Sequence, residues 1–126
     1  MPVRVVLIED NTVFRQALEM LLSLPDDIEV VAAEPDGSEV VELCARLAPD
    51  VLLVDYRLPG LDGVQITRLV GLRCPGVAVV ALTAAAGDGE IEALLEAGAV
   101  ACVRKDQPLD AIIEAVRSAG ARVEAG

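Results

Sequence analysis

Five polar residues stand at the ends of four apolar runs in this chain. Glu9 and Asp10 follow Val5-Val6-Leu7-Ile8, and Asp55 follows Val51-Leu52-Leu53-Val54. Thr83 closes the run that begins at Val77, and Lys105 stands just past Val100-Ala101-Cys102-Val103. If these runs are parallel strands, all five residues project from one sheet edge, the edge at which open α/β sheets bind ligands. Carboxylates crowded together repel, which raises their pKa values. A hard divalent cation such as Mg²⁺ relieves the repulsion through oxygen ligands, and Lys105 completes the charge balance. Asp55 can then attack phosphorus to give an acyl phosphate. Lys105 supplies a point charge and Thr83 a hydroxyl to the phosphoryl oxygens. Each residue alone also reads as a solvated strand-end group. It is their joint placement that points to a site.

The elements that would position these residues alternate along the chain. Val3–Ile8 is apolar apart from Arg4, as expected of a strand buried on both faces. Asn11 or Thr12 can cap a following helix, whose Phe14, Leu18, Leu21 and Leu22 form one stripe. Residues 28–33 read as a second strand, with Glu29 suggesting a sheet edge. A second helix is expected from Asp36-Gly37-Ser38, its buried stripe Val40, Leu43, Cys44 and Leu47. A third strand (51–54), a helix from Gly63 to about Arg73 and a fourth strand (77–82) follow. The next connection, Ala84-Ala85-Ala86-Gly87-Asp88-Gly89, is a poor helix start, because each glycine costs about 1 kcal/mol in a helix interior. Only residues 91–97 look firmly helical there. A fifth strand (99–103) and a helix from near Pro108 complete the pattern, with residues 119–126 expected to fray. Five strands alternating with five helices imply a parallel sheet covered on both faces by right-handed crossovers.

Composition narrows the function. The chain has 126 residues, 54% of them hydrophobic, with a net charge of −11 and no histidine. One domain is expected. Its scattered basic residues do not form the patch that nucleic acid binding needs. No apolar run approaches the ~20 residues of a membrane span, and Met1-Pro2-Val3-Arg4 has no signal-peptide layout. No membrane association is expected, and the default location is cytoplasmic. Cys44, Cys74 and Cys102 are distant in sequence and fit a reducing compartment. Cys44 is expected in the core.

The segments Glu9-Asp10, Asp55-Tyr56-Arg57-Leu58-Pro59-Gly60-Leu61-Asp62-Gly63, Thr83-Ala84 and Lys105-Asp106 resemble the receiver domain of bacterial two-component response regulators. The resemblance covers essentially the whole chain. It implies a flavodoxin-like doubly wound sheet of five parallel strands in the order 2-1-3-4-5. It also implies that Asp55 is the phospho-acceptor and that Glu9, Asp10, Asp55 and the backbone carbonyl of Arg57 hold Mg²⁺. Thr83 would be the switch hydroxyl and Lys105 the phosphoryl contact. A sensor histidine kinase is the implied partner, homodimerisation on phosphorylation is allowed, and the face of helix 4, strand 5 and helix 5 would carry the signal. Residues 25–31, 95–99 and 104–106 resemble the NarL/LuxR-like subgroup, whose members carry a C-terminal DNA-binding domain. On this reading residues 1–118 are the receiver and 119–126 are a C-terminal tail of a stand-alone receiver or the start of a linker. The only reaction expected is the domain's own phosphoryl transfer and dephosphorylation.

Two positions depart from the family pattern. Cys102 replaces the usual Tyr or Phe three residues before the lysine, and Asp106 replaces the proline that often follows it. Three alternatives are less well matched. A haloacid-dehalogenase-like phosphatase would need a second Asp at position 57, and a flavodoxin-like binding module would not place Glu9-Asp10 where a phosphate must sit. A degenerate receiver would not retain the whole set of acids, Thr83 and Lys105.

Overall fold

Each central strand divides its side chains between two cores. The chain, seen in a computed structural model that describes residues 1–84 and 88–125, forms β1 (Val3–Ile8), α1 (Thr12–Ser23), β2 (Ile28–Glu34), α2 (Val40–Leu47), β3 (Val51–Asp55), α3 (Gly63–Arg73), β4 (Ala78–Thr83), α4 (Asp88–Ala97), β5 (Ala101–Arg104) and α5 (Leu109–Ala125). Val5 and Leu7 of β1, Leu53 of β3 and Val80 and Leu82 of β4 pack against Leu18 and Leu22 of α1 and Ile112 and Val116 of α5. The intervening residues Val6, Ile8, Leu52, Val54 and Ala81 face Val40 of α2, Ile66 and Val70 of α3 and Leu94 of α4. This is the period-2 alternation of a strand sandwiched between helical layers.

The sheet is parallel throughout, in the order β2-β1-β3-β4-β5. β2 is an edge strand, as Glu29 suggested. The order reverses between β1 and β3, so the crevice beyond their carboxyl ends is the switch point. Ile8 pairs with Val54 there, which brings Glu9, Asp10 and Asp55 to one place.

Local chemistry sets the helix starts nearest that crevice. Asn11 caps α1, its side-chain oxygen accepting from the Phe14 N–H at 2.9 Å. Asp62 caps α3 in a reciprocal box with Gln65, each side chain accepting from the other's backbone N–H at 2.9 Å. Gly63 is obligatory for a different reason. A Cβ there would stand 2.7 Å from the carbonyl oxygen of Asp55 and 2.7 Å from Cα of Tyr56. The helix thus starts hard against the strand end that bears Asp55.

Some bounds differ from expectation. α2 starts at Val40 rather than at Asp36-Gly37-Ser38, where the Ser38 N–H instead donates to the Asp36 carboxylate in a turn. β5 starts at Ala101, two residues late. Residues 119–125 do not fray: α5 continues through Ala125, with Ala119 buried and Gly120 pressed on the Val3 side chain. The reason is that Ala119 and Val123 extend the stripe of Ile112 and Val116 at helical spacing. Of the connection expected to be a weak helix start, residues 85–87 lie outside the described residues. Among the described residues, no helix is long and apolar enough to cross a membrane.

Candidate functional site

The site is assembled from the carboxyl ends of four strands. Glu9 follows β1 and is fully buried, although it bears a carboxyl group. Asp10 beside it is exposed. Asp55 ends β3 and is 4% exposed. Each of the three offers a carboxylate oxygen within 4.8 Å of the others. Thr83 ends β4 and is buried. Lys105 follows β5, and its backbone N–H donates to the Thr83 carbonyl at 2.8 Å, so the hydroxyl and the ammonium rise from neighbouring strands. Glu9, Asp10, Asp55 and Lys105 therefore converge, and Thr83 ends the strand beside the one that Lys105 follows.

Lys105 is the electrostatic centre of this group. Its Nζ lies 3.0 Å from Asp55 Oδ2 and 2.5 Å from Glu9 Oε1. Burial works to lower its pKa, but the hydrogen bonds and charges of Glu9 and Asp55 outweigh that and hold it above the ordinary lysine value. Glu9 shifts upward, chiefly because burial penalises its charge, with a further push from Asp55; Lys105 and the Asn11 N–H oppose the shift. One cation is thus shared by two buried carboxylates, with Asp10 alongside. That excess of oxygen ligands and negative charge fits a hard divalent cation, for which Glu9, Asp10 and Asp55 are the natural protein ligands.

Thr83 contributes an unsatisfied group. Its Oγ1 is buried and has no hydrogen-bond partner among the described residues. A buried hydroxyl left so is costly, and such exceptions call for an explanation. An incoming acceptor oxygen would remove the cost. Arg57, two residues past Asp55, donates its N–H toward Asp55 Oδ1 at a long 3.5 Å, and its exposed guanidinium reaches Glu90 of α4 at 3.7 Å. That exposed pair adds little stability, but it links the loop after β3 to α4.

Two contributors were not legible as site residues. Phe14 reads as part of the α1 stripe, yet its ring lies under Lys105, with Nζ 4.6 Å from the centroid, a cation–π contact. Arg15, which the sequence does not single out, donates from its guanidinium to the Glu9 carbonyl at 2.7 Å. Their position one turn after Asp10 was the available signal. Cys102 is half-buried on β5, its thiol pushed up by burial.

The fold and the site define a doubly wound α/β domain with an acidic centre at its switch point. Comparison with known proteins makes this specific. Residues 5–117 match the family described as response regulator receiver domain. The transcriptional regulatory protein DegU of Brevibacillus brevis is 35% identical over 115 residues, covering 91% of this chain and 49% of that protein. A protein-glutamate methylesterase/protein-glutamine glutaminase of Myxococcus xanthus is 37% identical over 109 residues, covering 86% of this chain and 31% of that protein. The signal receiver domain of the response regulator NarL from Mycobacterium tuberculosis superposes with a TM-score of 0.88 at 33% identity, covering 95% of this chain and 97% of that one. The chain belongs to the response regulator receiver domain family, with relatives of the NarL/LuxR type. It spans half or less of the length of the two longer relatives.

Proposed function

We propose that Asp55 accepts a phosphoryl group and that this acceptance switches an output. The observation that carries the reading is the Asp55 carboxylate, nearly buried at the switch point, with Lys105 Nζ at 3.0 Å and the carboxylates of Glu9 and Asp10 beside it. An Asp55 oxygen attacks phosphorus, a P–O bond forms, and the bond from phosphorus to the donor breaks. Positioning and charge neutralisation supply most of the rate in such transfers. Mg²⁺ held by Glu9, Asp10, Asp55 and the Arg57 carbonyl would neutralise the phosphoryl oxygens. Lys105 contacts one of those oxygens, and Thr83 Oγ1 gains in another the partner it lacks.

These 126 residues include no histidine, so the donor lies outside them: the phosphohistidine of a sensor kinase or a small acyl phosphate. The relatives support a reading of the output. The transcriptional regulator DegU and a DNA-binding LuxR-family regulator among the similar structures support control of transcription, through a DNA-binding domain joined after α5, in the cytoplasm and with dimerisation on phosphorylation. The methylesterase relative supports an enzymatic effector as the second reading.

Incubation with acetyl phosphate, followed by intact-mass analysis, tests the core of this. A phosphoryl adduct is expected with Mg²⁺, and none in EDTA or in Asp55→Asn. An adduct that persists in Asp55→Asn overturns the assignment.

A further inference from the structure

Cys44 and Cys74 lie thirty residues apart in sequence, yet the fold brings their thiols together at the end of the sheet opposite the acidic site. Cys44 sits on the last turn of α2, just before the chain enters β3. Cys74 is the C-cap of α3, just before β4. Both line one open cleft of about 350 Å³ between these helices, together with Pro49, Arg73 and Pro75. Cys74 Sγ also lies 3.9 Å from the carbonyl oxygen of Val41, one turn before Cys44 on α2. The two thiols differ in access. Cys44 is 3% exposed, while Cys74 is half-buried at the cleft wall. Burial, with Cys74 as a near neighbour, pushes the Cys44 thiol up to about 11. Bulk water reaches Cys74 and not Cys44.

We propose that Cys44 and Cys74 are an oxidisable dithiol: a peroxide oxidises Cys74, and Cys44 resolves it to a disulfide that ties α2 to α3. In the first step the Cys74 thiolate attacks one peroxide oxygen, an S–O bond forms, the O–O bond breaks, and hydroxide leaves to become water. In the second, Cys44 sulfur attacks the sulfenic sulfur, the S–S bond forms, the S–O bond breaks, and the departing hydroxide takes the Cys44 proton as a second water. Two thiols are oxidised and one peroxide is reduced. A small thiol reverses the bridge by exchange. Neither cysteine touches Asp55, Glu9 or Lys105, so the pair is a modification site separate from the phosphoryl site.

The test uses the full chain carrying Cys102→Ser, which leaves only the pair. Treatment with hydrogen peroxide should lower the intact mass by about 2 Da, the two thiol hydrogens lost as the bond forms. Peptide mapping should link the Cys44 and Cys74 peptides. The melting temperature should rise by several degrees, because a cross-link restricts the unfolded chain, and dithiothreitol should restore the original value. A second chain, Cys74→Ser, should show no loss of mass and no rise in melting temperature. Sulfinic acid on Cys74 with Cys44 still alkylatable after denaturation overturns the proposal, as does a disulfide between two chains. Acetyl phosphate labelling of the same oxidised sample reads the phosphoryl site independently.

Discussion

Lys105 Nζ donates to Asp55 Oδ2 at 3.0 Å across fifty residues of sequence, while the same nitrogen lies against the fully buried Glu9. Among the described residues, the lysine is the one cation paired with both carboxylates. Lys105→Met should therefore do two things. It should cost about 1–3 kcal/mol in metal-free buffer, the usual penalty for leaving a buried partner unsatisfied. It should also slow phosphoryl labelling of Asp55 in saturating Mg²⁺. Chemical denaturation and a labelling time course measure the two separately. Unchanged stability would mean that Glu9 simply takes up a proton at neutral pH.

The crowded acids give a metal prediction. Mg²⁺ bound only by the folded state should stabilise it by about 1.4 kcal/mol at ten times Kd. Asp10→Asn removes an exposed ligand without opening a cavity, so its metal-free stability should match or exceed that of the unmodified chain. Its Mg²⁺ response should disappear. Thermal melts with and without Mg²⁺ decide this, and a melting temperature indifferent to Mg²⁺ would show that the three carboxylates do not share an ion.

Gly63 fixes how close α3 comes to Asp55. The Cβ of Gly63→Ala would meet backbone at 2.7 Å on two atoms, and backbone cannot swing aside as a flexible side chain can. A cost of about 1–3 kcal/mol is expected, as for other overpacked positions, together with slower labelling as Asp55 is displaced. Gly71→Ala is the control, because nothing lies within 4 Å of its added carbon; it should be neutral or stabilising by up to about 1 kcal/mol, the glycine-to-alanine gain in a helix interior.

Cys44 gives a pH dependence at the alkaline end. Its folded value, about 11, lies above the ordinary 9.0, so the folded chain holds that proton more tightly than the unfolded chain. The associated stability is fully present below pH 9 and is lost as pH rises toward 11. The loss is on the order of 2–3 kcal/mol for a shift of this size. Urea denaturation of the reduced chain at several pH values should show it, and Cys44→Ala should flatten that part of the profile while lowering stability at neutral pH through lost packing.

The site was legible where one rule determined it. Apolar runs gave the strands, and their parallel alternation put Asp10, Asp55, Thr83 and Lys105 on one edge. Asn11 announced its helix through capping chemistry. What stayed hidden depended on angles between elements. Phe14 lies under Lys105 only because of how α1 sits on the sheet. Cys44 and Cys74 meet only because α2 and α3 lie side by side. Residues 119–125 looked like a loose tail because small residues carry a weak pattern, yet Ala119 and Gly120 are small because the helix lies flat against Val3.

Thr83 supports the last prediction, in which stability and signalling move in opposite directions. Its hydroxyl is buried without a partner among the described residues, so the fold bears a desolvation cost at this position. Thr83→Val keeps the shape and removes the polar atom. It should stabilise the unphosphorylated domain by about 1 kcal/mol, the order of the unmet hydrogen bond. It should also blunt the response to a phosphoryl mimic, since the hydroxyl can no longer bond to it. Cys102 is too small to follow the hydroxyl as an aromatic ring would, so the response should fall on residues 84–90, of which 85–87 lie outside the described residues. Hydrogen exchange with and without beryllofluoride reads this directly. The unmodified chain should change its protection across residues 84–90, and Thr83→Val should not. If the change is instead confined to β5, Cys102 is the transmitter. If Thr83→Val is destabilised, the hydroxyl already has a partner in the resting state.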